Sequence, residues 1–298
     1  MRGSERNRAL AADAVLLLVA AIWGGGFVAG KLALEGLPPV AILVYRFCGS
    51  ALILGVVFAK RIARADRYMI KCGCLLGALQ FLGLMVQMVA LQYTTSAKQS
   101  FLAATYVCFT PLTAWLLTKV KPTARDGAAA LAAIVGVGFI SLNSALEVQA
   151  GDPMTLGFSL IFSVQIVLTG KYARELDPLV LAFFQFCAAG VLAAAAAVVT
   201  GADMVCSGAS AAGGLAYLVF INTALALCLQ NTAQRYTKAS HTALILSLES
   251  VFGFLFSMLI YREAATARII LGGALVLAGI LISKLPARKS ASAESLPR

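Results

Sequence analysis

Two ionisable residues stand inside otherwise apolar stretches of this 298-residue chain, Arg46 in ILVYRFCGS and Glu249 in ILSLESVFG. A charge placed in hydrocarbon is costly, so such a side chain faces a partner, a wet cavity or a ligand. Two uses of the pair are open. The guanidinium and the carboxylate neutralise each other across a cavity, or each meets one charge of a zwitterion. Amides and a phenol recur around them at helical spacing: Gln80 and Gln87 are seven apart and share a helix face, as do Gln99 with Tyr106 and Thr242 with Glu249. Gln165, Asn222 and Gln230 add neutral donors and acceptors in other apolar stretches. The expected binding set is therefore Arg46, Gln80, Gln87, Tyr106, Gln165, Asn222, Gln230 and Glu249, with the amides equally suited to gluing helices together. Bond-making chemistry has less to work with. The sequence has no H-E-x-x-H, no G-x-S-x-G and no paired-aspartate site, and His241, the one histidine, reads as a boundary residue that can titrate near neutral pH.

The stretch WGGGFVAGKL at 23–32 comes within one residue of a phosphate-binding loop. Leu32 stands where that loop needs a hydroxyl for Mg²⁺, and an apolar run precedes it in place of a strand and turn. The glycines fit helix packing instead. Gly26 and Gly30 make a G-x-x-x-G face for close helix approach, and three consecutive glycines ease bending. Trp23, one turn away, is a packing aromatic or a cavity wall. The seven cysteines are scattered, and Cys72-Gly-Cys74 has neither zinc-ribbon spacing nor a nearby histidine, so small packing residues are expected there and no metal or cofactor.

The elements that must hold these residues follow from composition. The chain is 60% hydrophobic and only 12% charged, with a mean hydropathy of +0.89, which places it in a lipid bilayer. Ten apolar segments, each close to the 20 residues that cross a bilayer as a helix, fall at about 13–33, 40–59, 70–92, 97–118, 127–145, 155–172, 179–200, 212–233, 240–261 and 268–285. None alternates as a barrel strand would, so the fold class is an all-α integral membrane protein. With the N-terminus in the cytoplasm, nineteen of the 24 Lys and Arg lie on the cytoplasmic side and four outside, while Arg46 lies within a span. That bias explains the net charge of +11 as a topology signal, with both termini inside, and argues against a nucleic-acid partner.

The second half echoes the first. GLPPVAILVYRFCGSALI from Gly36 aligns with ELDPLVLAFFQFCAAGVL from Glu175 at an offset of 139, matching Pro39 with Pro178 and Phe47 with Phe186. Further on the offset is 143: Tyr93-Thr94 with Tyr236-Thr237, Gln87 with Gln230, Phe109 with Phe252 and Tyr106 with Glu249. Gly30-Lys31 likewise recurs as Gly170-Lys171. Five spans per copy, an odd number, require the copies to enter the membrane from opposite faces, an inverted repeat of the kind that secondary transporters build around a midplane site. The expected units are 13–145 and 155–285, followed by a cytoplasmic tail at 286–298. The repeat should draw Gln87, Tyr106, Gln230 and Glu249 toward a common axis. Spans five and ten, nearly free of polar residues, read as an outer scaffold and a possible homodimer surface.

Ten spans in two copies, IWGGGFVAGK in span one and LESVFGFLFSMLIYREAAT closing span nine resemble EamA-type carriers of the drug/metabolite transporter superfamily. The chain departs from the common pattern at Gly26, Ser250 and Lys119-Val120-Lys121, and keeps the acidic position at Glu263. The resemblance implies export of amino acids or similar small metabolites across a bacterial inner membrane, with a small-molecule substrate and the lipid bilayer as partners. A pore-type facilitator is the alternative, since the same polar residues can line a channel.

Overall fold

A computed structural model describes residues 2–119, 121–122, 127–128, 131–132, 134–136, 139, 148–262 and 266–284. Most of the fifth expected span and Glu263 lie outside the described residues. The elements are helical: α1 (Arg2–Leu34), α2 (Pro39–Val57), α3 (Ala59–Ile62), α4 (Arg67–Leu91), α5 (Ser96–Ala103), α6 (Tyr106–Thr118), α7 (Gly151–Glu175) and α8 (Pro178–Thr200) in the first part of the chain. Then follow α9 (Ala209–Ala216), a π-helix (Tyr217–Leu225), α10 (Ala226–Gln234), α11 (Ala239–Leu246), α12 (Glu249–Tyr261) and α13 (Ala267–Lys284). Among the described residues eight helical stretches are long and apolar enough to cross a membrane, and Ala267–Gly279 is a shorter apolar stretch. Their ends fall within a few residues of the expected spans except at the start of α1, which extends well ahead of residue 13.

Local sequence sets those ends. Pro39 and Pro178 stand at the first helical position of α2 and α8, where proline's missing N–H costs nothing. Asp66 caps α4 by accepting from the Met69 N–H at 2.7 Å, and Thr95 caps α5 by accepting from the Lys98 N–H at 3.2 Å. Both broken helices close on a left-handed residue, Lys119 (φ 62°) and Arg262 (φ 52°), which are 143 apart.

The breaks themselves coincide. Ala104-Thr105 separates α5 from α6, and Ser247-Leu248 separates α11 from α12 at the same offset. At each break three backbone bonds tighten to three-residue steps: Thr105 to Leu102, Val107 to Ala104 and Cys108 to Thr105 in one, Leu248 to Ile245, Ser250 to Ser247 and Val251 to Leu248 in the other. The second halves start at Tyr106 and Glu249. Helix contacts also exchange between the halves, α1 packing on α12 and α6 on α7.

Small residues let the helices close up. A Cβ at Gly24 would strike Phe252 and lie 2.7 Å from the Gly253 nitrogen, so α1 and α12 touch almost backbone to backbone. Gly73 and Gly77 of α4 are pressed against Phe184, Gln185 and Ala188 of α8, which accounts for the small residues around Cys72 and Cys74. The expected G-x-x-x-G face divides its contacts: Gly26 meets Asn222 and Gly30 meets Met88 and Leu91. The core includes the fully buried Phe47 and Phe186, repeat partners in α2 and α8.

Candidate functional site

A cavity with about 480 Å³ of empty space lies among α1, α2, α4, α7, the π-helix and α12. Seven of the expected residues line it: Trp23, Gly26, Arg46, Gln80, Gln87, Glu249 and, from the π-helix, Asn222. Aromatic rings form its other wall. Trp23 meets Phe162 edge-on at 5.5 Å, Phe158 stacks on Phe162 at 5.3 Å, and Tyr106 meets Phe162 at 5.1 Å. Only about 40 Å³ is open to the centres of water-sized molecules. At roughly 10–15 Å³ per water, that holds about three waters.

Arg46 reaches the π-helix rather than Glu249. Its Nε donates to Thr223 Oγ1 at 2.9 Å and its Nη2 to Asn222 Oδ1 at 2.8 Å. Both acceptors are neutral, and neither Arg46 nor Glu249 has an ion-pair partner among the described residues. Of the five guanidinium N–H donors, two are spent this way, leaving the rest for the cavity that Arg46 lines. A buried cation with neutral partners retains its field, which favours an anionic group brought into the same space.

The π-helix is what allows this. Its five-residue step puts Asn222 and Thr223 side by side toward Arg46, and frees the Asn222 carbonyl to accept from Trp23 Nε1 at 3.3 Å. The Asn222 amide nitrogen donates to the Ile22 carbonyl at 3.3 Å, and Tyr217 donates to the same carbonyl at 2.9 Å. One turn along α2 from Arg46, Ser50 donates to the Val219 carbonyl at 3.1 Å. Helices α1 and α2 are thus both stitched to the π-helix.

Glu249 lines the same cavity from α12. It is buried at the start of α12 and faces the Tyr106 hydroxyl, which itself reaches no hydrogen-bond partner among the described residues. Of the four residues expected on a common axis, Gln87 and Glu249 line the cavity, Tyr106 sits behind it and Gln230 does not line it. Gln230 donates at 3.5 Å to Gln234 instead.

Gln165 also lies off the cavity. It donates to Gln80 Oε1, which accepts a second bond from Gln185 at 2.9 Å, and Asn231 donates to Gln185 Oε1 at 3.3 Å. This amide chain joins α4, α7, α8 and α10. Gln185, Asn231 and Thr223 were not among the expected residues. The signal for two of them is in the repeat: Gln185 occupies the place of Arg46 at offset 139, and Thr223 that of Gln80 at offset 143.

Long apolar helices around a buried polar cavity, in a chain with this sequence pattern, define a multi-pass membrane transporter. The chain belongs to the EamA-like transporter family, whose family model matches residues 10–142 and again 149–285. It is 36% identical over 283 residues to an uncharacterized transporter of Archaeoglobus fulgidus, covering 95% of this chain and 89% of that one. A solved crystal structure at 16% identity matches 93% of this chain and 96% of its own, with a TM-score of 0.68, and so shares the fold.

Proposed function

We propose that the protein is a secondary carrier that exports amino acids or similar small polar metabolites by alternating access. The carrying observation is that Arg46 and Glu249 open onto one cavity without pairing to each other. A zwitterion supplies the missing countercharge to both: its carboxylate to Arg46 and its ammonium to Glu249, with the aromatic wall taking an apolar side chain. Neither charge then needs to be neutralised by the protein.

The cavity's room for about three waters, set by about 40 Å³ and roughly 10–15 Å³ per water, is too small for such a solute. Helices must part to admit it. Two five-span copies of opposite orientation supply a means, because rocking one against the other exposes a shared site to each side in turn. The coincident breaks and caps of the two halves support that arrangement, as does the double family match. In this reading the chain sits in a bacterial inner membrane with both termini in the cytoplasm.

The test is a metabolite panel. Cells overproducing the chain are compared with cells producing the Glu249→Gln variant at equal surface level, and the external medium is profiled. The expected result is accumulation of one or a few amino acids or related compounds outside, lost in the variant, and reproduced in proteoliposomes with and without a pH gradient. No compound enriched outside would end the export reading.

A further inference from the structure

Two further contacts between a basic and an acidic side chain lie apart from the cavity and obey the same repeat. Lys98 Nζ stands 3.2 Å from Asp152 Oδ2, and His241 Nε2 donates to Asp13 Oδ1 at 2.8 Å. Lys98 and His241 are each the third residue of their helices, 143 apart, and Asp13 and Asp152 are 139 apart. Each contact therefore ties the start of the broken helix in one half to the first long helix of the other half. Chance would not pair both bases with both acids across the same two offsets.

Their positions bracket the cavity. Ser96, at the start of α5, donates to the Phe27 carbonyl at 3.3 Å, and Phe27 is fourteen residues beyond Asp13 on α1, roughly 21 Å at 1.5 Å per residue. The Lys98 contact and the His241 contact thus lie toward opposite ends of the bundle. Trp23 is ten residues from Asp13 and Phe162 ten residues from Asp152, and these two rings touch at the cavity wall. Each aspartate accordingly stands about 15 Å along its helix from that wall.

The two ends differ in exposure. Side chains of the Lys98 pair are 10% and 1% exposed, and the pair is braced by Gln149, which accepts from Lys98 Nζ at 3.1 Å, and by Thr94, which donates to Asp152 at 3.4 Å. Those of the His241 pair are 41% and 35% exposed. We propose that Lys98–Asp152 and His241–Asp13 are the two gates of the carrier, one at each mouth of the cavity, and that they open in alternation. Both contacts are formed in the conformation described here, the Lys98 pair buried and the His241 pair partly exposed. The proposal rests on the carrier reading above, and its mechanism is direct: separating the copies at one end pulls that end's acid from its base while the other end closes.

The test reads accessibility, not flux. A cysteine replaces Leu84, which lines the cavity, in a background with the native cysteines removed, and its reaction with a membrane-impermeant maleimide is timed from each face of oriented vesicles without substrate. Asp152→Asn is expected to raise labelling from the Lys98 end roughly tenfold and lower it from the other, while Asp13→Asn does the reverse, within the usual range of coupling between sites. Lys98→Arg should keep the parental rates and Lys98→Gln should copy Asp152→Asn. Unchanged rates in both aspartate variants, or a rise from the same face in both, would overturn the gates. The Asp13 arm stands alone if the Asp152 variant fails to fold, which its elution profile reports. Reciprocal labelling in a protein that moves no tested solute would leave the gates and remove the carrier; counterflow with unresponsive labelling would do the opposite.

Discussion

Arg46 and Gln185 stand 139 residues apart and make the same bond. Arg46 Nε donates to Thr223 and Gln185 Nε2 donates to Gln80, each at 2.9 Å, and the two acceptors are themselves 143 apart. One internal geometry is thus built twice, once with a charge and once without. The charged copy opens on the cavity beside Asn222, and the neutral copy is absorbed into an amide chain. Divergence at a single repeated position thus separates a cavity-lining side chain from a fastening one.

Arg46 is oriented by its bond to Asn222, and on the proposed carrier reading that bond holds it for the substrate. Asn222→Ala removes one acceptor from a buried guanidinium, a loss of about 1.5–3 kcal/mol for a bond to a charged group, so the half-saturating substrate concentration should rise about tenfold. Asn222→Asp should do more harm to an acidic solute, because it hands Arg46 a countercharge. Equilibrium binding by scintillation proximity on purified protein checks both, and equal affinity in all three proteins would show that Arg46 does not meet the substrate.

Glu249 is the acid placed at the start of α12. Glu249→Gln keeps shape and hydrogen bonding while deleting the charge, and is expected to cut export by at least about tenfold, equivalent to 1.4 kcal/mol or more. Normal flux at ordinary surface level would take this residue out of the mechanism.

Eight of the expected spans and most of their ends were legible because hydrophobic length and repeated residues are local signals. Pro39 with Pro178 marks both helix starts, and Tyr106 with Glu249 marks both breaks. Arg46, Glu249, Gln80 and Gln87 were legible as lining because polar residues in lipid turn inward. Two things were not. The π-helix at Tyr217–Leu225 has no composition of its own, since a five-residue step is chosen by tertiary partners such as Arg46 and Trp23. The destinations of Gln165 and Gln230 were equally hidden, because an amide satisfies a neighbouring helix as readily as a cavity.

Gln185 offers a contrast to the cavity residues. Gln185→Leu removes the donor to Gln80 and the acceptor of Asn231, at about 0.6 kcal/mol per bond in membrane bundles. A thermal midpoint lowered by a few degrees with unchanged substrate affinity is expected. Lost affinity at unchanged midpoint would move Gln185 into the binding site.

Gly253 marks a close contact of α12 with α5 and α1. A side chain there would meet Ser100 Cβ at 2.6 Å and Phe27 at 3.2 Å, so Gly253→Val should cost about 1–3 kcal/mol by overpacking. Fluorescence-detected thermal unfolding in detergent measures it, and a midpoint equal to wild type would show that α12 is not so closely seated on α5 and α1.

Counterflow in proteoliposomes tests most directly whether one cavity serves both sides. Vesicles loaded with a high concentration of the exported compound are diluted into a trace of its labelled form. The carrier account predicts transient, saturable accumulation of label inside, absent with Arg46→Gln and Glu249→Gln. Label that equilibrates without overshoot, at a rate proportional to concentration, would contradict it and describe a pore.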